Sequence, residues 1–136
     1  MNYSHDCPFC NPDRDPKQHI VFETETCYFL QHEKEQDILE GSGVIVPKKH
    51  RANPFELMEQ EWIETYELLE KAKEFLDAKF TPDGYTLGWN VGSASNQTIL
   101  HSHLHVIPRF KDEPLAGKGL RHWLKQPENK RKRSKG

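Results

Sequence analysis

Long apolar runs are missing from this chain. No stretch approaches the 18 or so consecutive apolar residues that a membrane-spanning helix requires, so no such span is expected. Hydrophobic residues make up only 35% of the 136 positions, and the mean hydropathy is −0.88. That is poorer than most globular chains, so the core must be modest. A partner subunit, a metal or a ligand would help such a chain fold. The first six residues, from Met1 to Asp6, are polar and do not read as a secretory signal, so a cytoplasmic protein is expected. Cysteine is scarce too: three residues, an odd number, which argues against a disulfide framework.

A strong charge of either sign is also absent, since 19 basic and 21 acidic side chains leave a net −2. The average hides a split. Residues 125–136 hold six basic side chains and one acidic, a net +5, and residues 1–124 carry −7. An acidic body argues against a broad, sequence-specific nucleic-acid face. The end, Lys130-Arg131-Lys132-Arg133-Ser134-Lys135, reads as a disordered solubilising tail, with contact to polyanions as the alternative. The expected division is one domain over residues 1–124 and a basic tail over 125–136.

What the chain has is punctuated structure. Residues 20–23 and 27–30 read as two strands of a hairpin, and residues 44–46 as a third strand stopped by Pro47. Asn53, Pro54 and Glu56 have the order of a helix start. Glu59-Gln60-Glu61 can divide that start from the main helix, which ends at residues 81–84. Trp62, Tyr66, Leu69, Lys73 and Leu76, widened by Ile63 and Phe75, predict the face packed on the sheet. Residues 85–90 and 99–108 complete five strands, with a polar loop over 91–98 between them. Trp123 is expected to dock from a short segment at 120–124. Strands, one helix, then strands imply an α+β domain with an antiparallel sheet.

The chemical signal is His101-Ser102-His103-Leu104-His105. On a strand the three histidines share one face, with Leu104 and Val106 turned to the core. Neighbouring members stand ~7 Å apart along the strand, so all three do not suit a single metal ion. A row of imidazoles, half-protonated near neutral pH, can supply one nucleophile and one hydrogen-bond donor. That pair suits attack on phosphorus, where negative charge develops.

This run resembles the histidine triad (HIT) family, whose pattern alternates three histidines with apolar residues. Asn90 lies eleven residues before His101, and Gln97-Thr98 just before it, as in the family's Asn-x-Gly and Gly-Gln-Ser/Thr segment. Val46-Pro47-Lys48-Lys49-His50 matches the family's strand-ending pattern. The resemblance spans about residues 7–110. It implies a HIT-like five-stranded antiparallel sheet with one main helix. His103 takes the place of the nucleophile, forming a transient nucleotidyl-histidine at an α-phosphorus. His105 takes that of a phosphate-oxygen donor, and Asn90, Gln97 and Thr98 those of polar groups for the phosphates. Asn96 stands where the family has Gly, Ser102 replaces an apolar residue, and Gln31, beside His32, falls where the family holds ribose with Asp. Phe22 and Phe29 fit either the base pocket or, more simply, the core.

Cys7-Pro8-Phe9-Cys10 has a ligand-type spacing, and zinc needs two further donors. His50 ends the third strand and His101 opens the triad, so Cys7, Cys10, His50 and His101 are the expected structural Zn²⁺ set. The arrangement is similar to the zinc-bearing, bacterial-type branch of the family. His5, His19, His32 and His122 are expected in solvent, and Cys27 in the core.

The resemblance implies a nucleotide hydrolase acting on dinucleoside polyphosphates or nucleoside phosphoramidates, with no catalytic cofactor and a homodimeric state. Lys48, Lys49, Arg109 and Lys118 are expected to meet a phosphate chain. A non-catalytic nucleotide-binding or regulatory protein of the same fold, or a nucleotidyltransferase, is the alternative.

Overall fold

A computed structural model describes residues 3–133. Five strands form one antiparallel sheet: β1 (Gln18–Glu23), β2 (Cys27–His32), β3 (Gly43–Pro47), β4 (Gly84–Gly88) and β5 (Leu104–Arg109). Their spatial order is β1-β2-β3-β5-β4. The main helix is α1 (Glu59–Phe80), and a short α2 (Leu120–Leu124) follows the sheet. Single 3-10 turns occupy several connections, one of them Glu33–Asp37 after β2. The last three residues of the expected basic tail lie outside the described residues.

Strand alternation divides the interior into two layers. Cys27, Phe29, Ile45, Leu104 and Val106 face α1 and meet Leu68, Ala72 and Leu76 in the main core. Each fully buried leucine there contributes about 2 kcal/mol. Their neighbours, Leu30 and Val46, point to the opposite face, where Cys7 and Phe9 of the N-terminal segment cover them. Cys27 is fully buried and Phe29 belongs to the main core with Phe22 packed against it, so core packing is the role of all three.

Gly43 lets β3 come close to β2: a Cβ there would meet the Leu30 carbonyl oxygen at 2.5 Å and the Phe29 ring at 2.7 Å. The first helical turn is split as the sequence suggests. The Asn53 side chain caps the Phe55 N–H at 2.9 Å over a 3-10 turn, and α1 starts separately at Glu59.

Three expectations on elements need correcting. The buried face of α1 is Glu61, Glu64, Thr65, Leu68, Ala72 and Leu76; of the expected stripe Leu76 is buried and Leu69 and Phe75 pack against the core, whereas Trp62, Ile63, Tyr66 and Lys73 are exposed. Polar residues can occupy that face because each has a partner. Glu61 accepts from the Met58 N–H at 2.7 Å and from Arg51 at 3.1 Å, and Glu64 accepts from the Thr26 N–H at 2.8 Å. Secondly, β5 begins at Leu104 rather than at residue 99, so His101 and His103 stand just before the ladder. Residues 99–103 are held instead by irregular contacts such as Ser102 N–H to the Arg51 carbonyl, 2.6 Å. Thirdly, Trp123 stays exposed, set against the His122 ring at 4.8 Å.

Candidate functional site

Two arrangements meet where β3 ends and β5 begins. The first is a corner of four donors. His50 follows β3, His101 precedes β5, and both project their Nδ1 atoms toward Cys7 and Cys10. The Cys7 sulfur lies 3.3 Å from His101 Nδ1, the Cys10 sulfur 3.3 Å from His50 Nδ1, and the two Nδ1 atoms 3.2 Å from each other. All four donor atoms fall within 4.8 Å of one another. Two thiols and two imidazole nitrogens converging on one point, with His101 completely buried, fit a tetrahedral Zn²⁺. The far nitrogen of His101 donates to the Pro47 carbonyl at 2.7 Å, which fixes the tautomer that turns Nδ1 inward. Burial pushes the His101 pKa down to about 4 against that hydrogen bond, with His50 and His103 adding to the push.

The second arrangement is a groove of about 1040 Å³. His103 and His105 line it together with Asn90 and Thr98. His103 Nδ1 donates to the His101 carbonyl at 2.8 Å, so Nε2 is the nitrogen left unclaimed. His105, paired across the sheet with Val44 and Gly88, brings its ring to 4.9 Å from the His103 ring. Burial lowers the pKa of both imidazoles. At His105 the charge of His103 adds to that effect and Glu35 opposes it. Both are therefore neutral near pH 7, which leaves His103 a free lone pair and His105 one N–H to donate.

The sequence expectations fare unevenly. Cys7, Cys10, His50 and His101 gather as expected, and His103, His105, Asn90 and Thr98 share the groove. Gln97 does not line it. Its amide accepts from the Gly92 N–H at 2.9 Å and donates to the Ala52 and Ile99 carbonyls at 2.6 and 3.1 Å. It staples the 92–99 loop and thereby positions its neighbour Thr98. Asn96 adopts φ 64°, a left-handed conformation that glycine or asparagine takes at little cost, which explains an Asn in the family's Gly position.

Gln31 spends its amide on the Gly41 carbonyl, 2.9 Å away, and it is the neighbouring His32 that lines the groove, paired with Asp15 at 2.8 Å. The expected cations are elsewhere. Lys48 pairs with Glu23 at 2.6 Å and Arg109 with Glu113 at 2.7 Å, while Lys118 borders a separate shallow depression beside Asp83. Among the described residues no Lys or Arg lines the groove, but Asp15 and Glu35 do.

Phe9 was not singled out by sequence. Its ring lies 5.8 Å from His101 and 5.0 Å from His103, so it forms the partition between corner and groove. Its place between two expected ligands, Cys7 and Cys10, was the available signal. Leu120 and Leu124 of α2, which form another wall, carried none.

Among the described residues no helix is long and apolar enough to cross a membrane. A curated relative named Bis(5'-adenosyl)-triphosphatase, from Dictyostelium discoideum, is 28% identical over 92 residues, covering 68% of this chain and 60% of its own length. Another, named Adenosine 5'-monophosphoramidase hnt1, from Schizosaccharomyces pombe, is 27% identical over 88 residues, covering 65% and 63%. The chain thus spans less than two thirds of both.

A crystal structure of a HIT family protein from Bacillus anthracis superposes with a TM-score of 0.71 at 27% identity, covering 80% of this chain and 77% of that one. A Zn-bound histidine triad family protein from Mycobacterium smegmatis shares the fold, with a TM-score of 0.67 at 22% identity over 91% of this chain and 85% of that one. The HIT domain pattern matches residues 14–112, from the 3-10 turn before β1 to just past β5, and the chain belongs to the HIT family.

Proposed function

We propose that the protein is a nucleotide hydrolase that attacks an α-phosphorus through His103. The observation that carries this reading is the 2.8 Å hydrogen bond from His103 Nδ1 to the His101 carbonyl, which leaves Nε2 as the nucleophilic nitrogen beside the groove. Nε2 attacks phosphorus, a P–N bond forms, and the bond to the leaving phosphate or amine breaks. His105 donates its N–H to a phosphate oxygen as charge builds there. Asn90 and Thr98 bind the phosphate, and Gln97 holds their loop. Water then cleaves the P–N bond and releases a nucleoside monophosphate. Dinucleoside polyphosphates and nucleoside phosphoramidates are the two substrate classes, supported by what the Dictyostelium and fission-yeast relatives are named for.

Cys7, Cys10, His50 and His101 hold a structural Zn²⁺ in this reading, and the ion serves to tie the polar N-terminal segment to the sheet. A cytoplasmic location belongs to this reading, supported by three cysteines that form no disulfide with one another. The protein works as a homodimer. The exposed stripe of Phe55, Met58, Trp62, Ile63 and Tyr66 along the start of α1 supplies an apolar face for a second copy.

The test is chemical trapping. The protein is mixed with a labelled adenosine phosphoramidate or diadenosine polyphosphate, quenched in base and digested. The expected result is an adenylylated peptide with the phosphorus on His103. Turnover without that adduct, or with the adduct on another residue, overturns the reading.

A further inference from the structure

The groove is poor in positive charge. No Lys or Arg lines it among the described residues, and two carboxylates, Asp15 and Glu35, do. Asp15 is tied to His32, and its pKa is lowered by that hydrogen bond, with nearby Lys34 contributing, so this cation already faces a carboxylate. A nucleotide bearing several phosphates brings about one negative charge per phosphate, plus one at a free chain end. Charge of that size needs nearby cations if the groove is to hold it.

The chain that follows the groove wall carries such cations. Leu120 and Leu124 of α2 form part of the groove wall, and Lys125 follows directly. The chain then makes a 3-10 turn at Pro127–Asn129, and the Asn129 side chain donates back to the Leu124 carbonyl at 2.7 Å. That contact ties residue 129 to Leu124, a groove-lining residue, just before Lys130, Arg131, Lys132 and Arg133. These five cations are exposed, and none forms an ion pair among the described residues. Four extended residues reach about 13 Å from Asn129, enough to bring a long side chain over the groove.

We propose that this C-terminal segment is the phosphate-chain subsite of the groove. Lys125 and residues 130–133 bind the distal phosphates of a nucleoside polyphosphate, and the segment selects long phosphate chains over monophosphates. The proposal rests on the reading of the groove as a nucleotide site and deepens it. It also gives the tail a task close to the body. Free nucleic acid is a poorer occupant, because residues 1–124 carry a net −7.

The experiment compares the full chain with a K130Q/R131Q/K132Q/R133Q variant. Calorimetric titration measures the affinity for adenosine 5'-tetraphosphate, for AMP and for a short single-stranded RNA, at about 50 and 200 mM salt. The variant is expected to bind the tetraphosphate roughly tenfold more weakly at low salt, with AMP changed less than twofold. The wild-type advantage should shrink at high salt. Equal tetraphosphate affinity in the two proteins overturns the subsite. So does an equal loss for AMP, or a loss confined to RNA. Hydrolysis assayed alongside separates the two readings: a charge-dependent preference without turnover sinks the hydrolase alone, and turnover without that preference sinks the subsite alone.

Discussion

His101 and His103 are two residues apart and have been put to opposite uses. Both rings are buried and both donate to a backbone carbonyl. The difference lies in which nitrogen donates. His101 gives Nε2–H to Pro47, so its Nδ1 turns inward to two thiols and His50. His103 gives Nδ1–H to the carbonyl of His101, so its Nε2 stays available to the groove. On the proposed reading, the choice of carbonyl, rather than the type of residue, separates a metal corner from a reactive group.

The sharpest way to break this contrast is His103→Ala. On the proposed mechanism it should lower turnover by roughly 10³-fold or more while metal content stays stoichiometric. Turnover within tenfold of wild type would remove His103 from the nucleophile's role. The converse change is Cys7→Ser with Cys10→Ser. Metal analysis should show the ion gone, and thermal unfolding a loss on the order of 3–5 kcal/mol. If stoichiometric zinc survived, the donors would have to be sought around His103 and His105 instead.

Below about pH 4, past the range over which the depressed His101 gives up its contribution, acid stability should depend on Glu64. Hydrogen bonding with Thr24, Gln60 and Thr26 holds its carboxyl at about 2, against an ordinary 4.5. A folded pKa below the unfolded one means stabilisation that is complete above about 4.5 and is lost as pH falls toward 2. Glu64→Gln should flatten the decline of stability over that window in urea titrations. An unchanged slope would assign the acid limit elsewhere. The smallest effect is expected from Ser102, which sits between the two contrasting histidines with its hydroxyl buried and unpartnered. Ser102→Ala should be neutral or stabilise by about 1 kcal/mol. Marked destabilisation would mean that the hydroxyl has a partner, such as ordered water.

The sequence made the chemistry legible more readily than the packing. Histidine alternation, the CxxC and the histidine three residues after a strand-ending Pro all mark positions that few other arrangements demand, and their side chains do assemble. The phase of the first half of α1 was not legible, because its inner face uses Glu61 and Thr65 while Trp62 and Tyr66 lie outside; Phe75 and Leu76 in the second half do pack on the core. Apolar periodicity reports hydrophobic surface and cannot say whether the same chain covers it. The groove's charge escaped for a different reason. Lys48 and Arg109 are near the site in sequence, yet each is drawn off by a carboxylate, Glu23 and Glu113 respectively. The Lys48 pair joins distant segments and leaves no local pattern, whereas Glu113 stands only four residues after Arg109 and was the readable signal of the two. Gln97 is intermediate: its place in the loop was readable and two of its backbone partners, Gly92 and Ile99, are local, but the third depends on Ala52 folding against the loop.

Two carbonyl–imidazole contacts run in series from the end of β3 to the groove, Pro47 to the His101 ring and the His101 carbonyl to the His103 ring. For protein engineering this turns Pro47 into a remote sighting screw. On the proposed mechanism, a shift of the last residue of β3 is expected to re-aim His103 Nε2 without altering a single residue that lines the groove, and libraries built only from groove residues would leave that adjustment untouched.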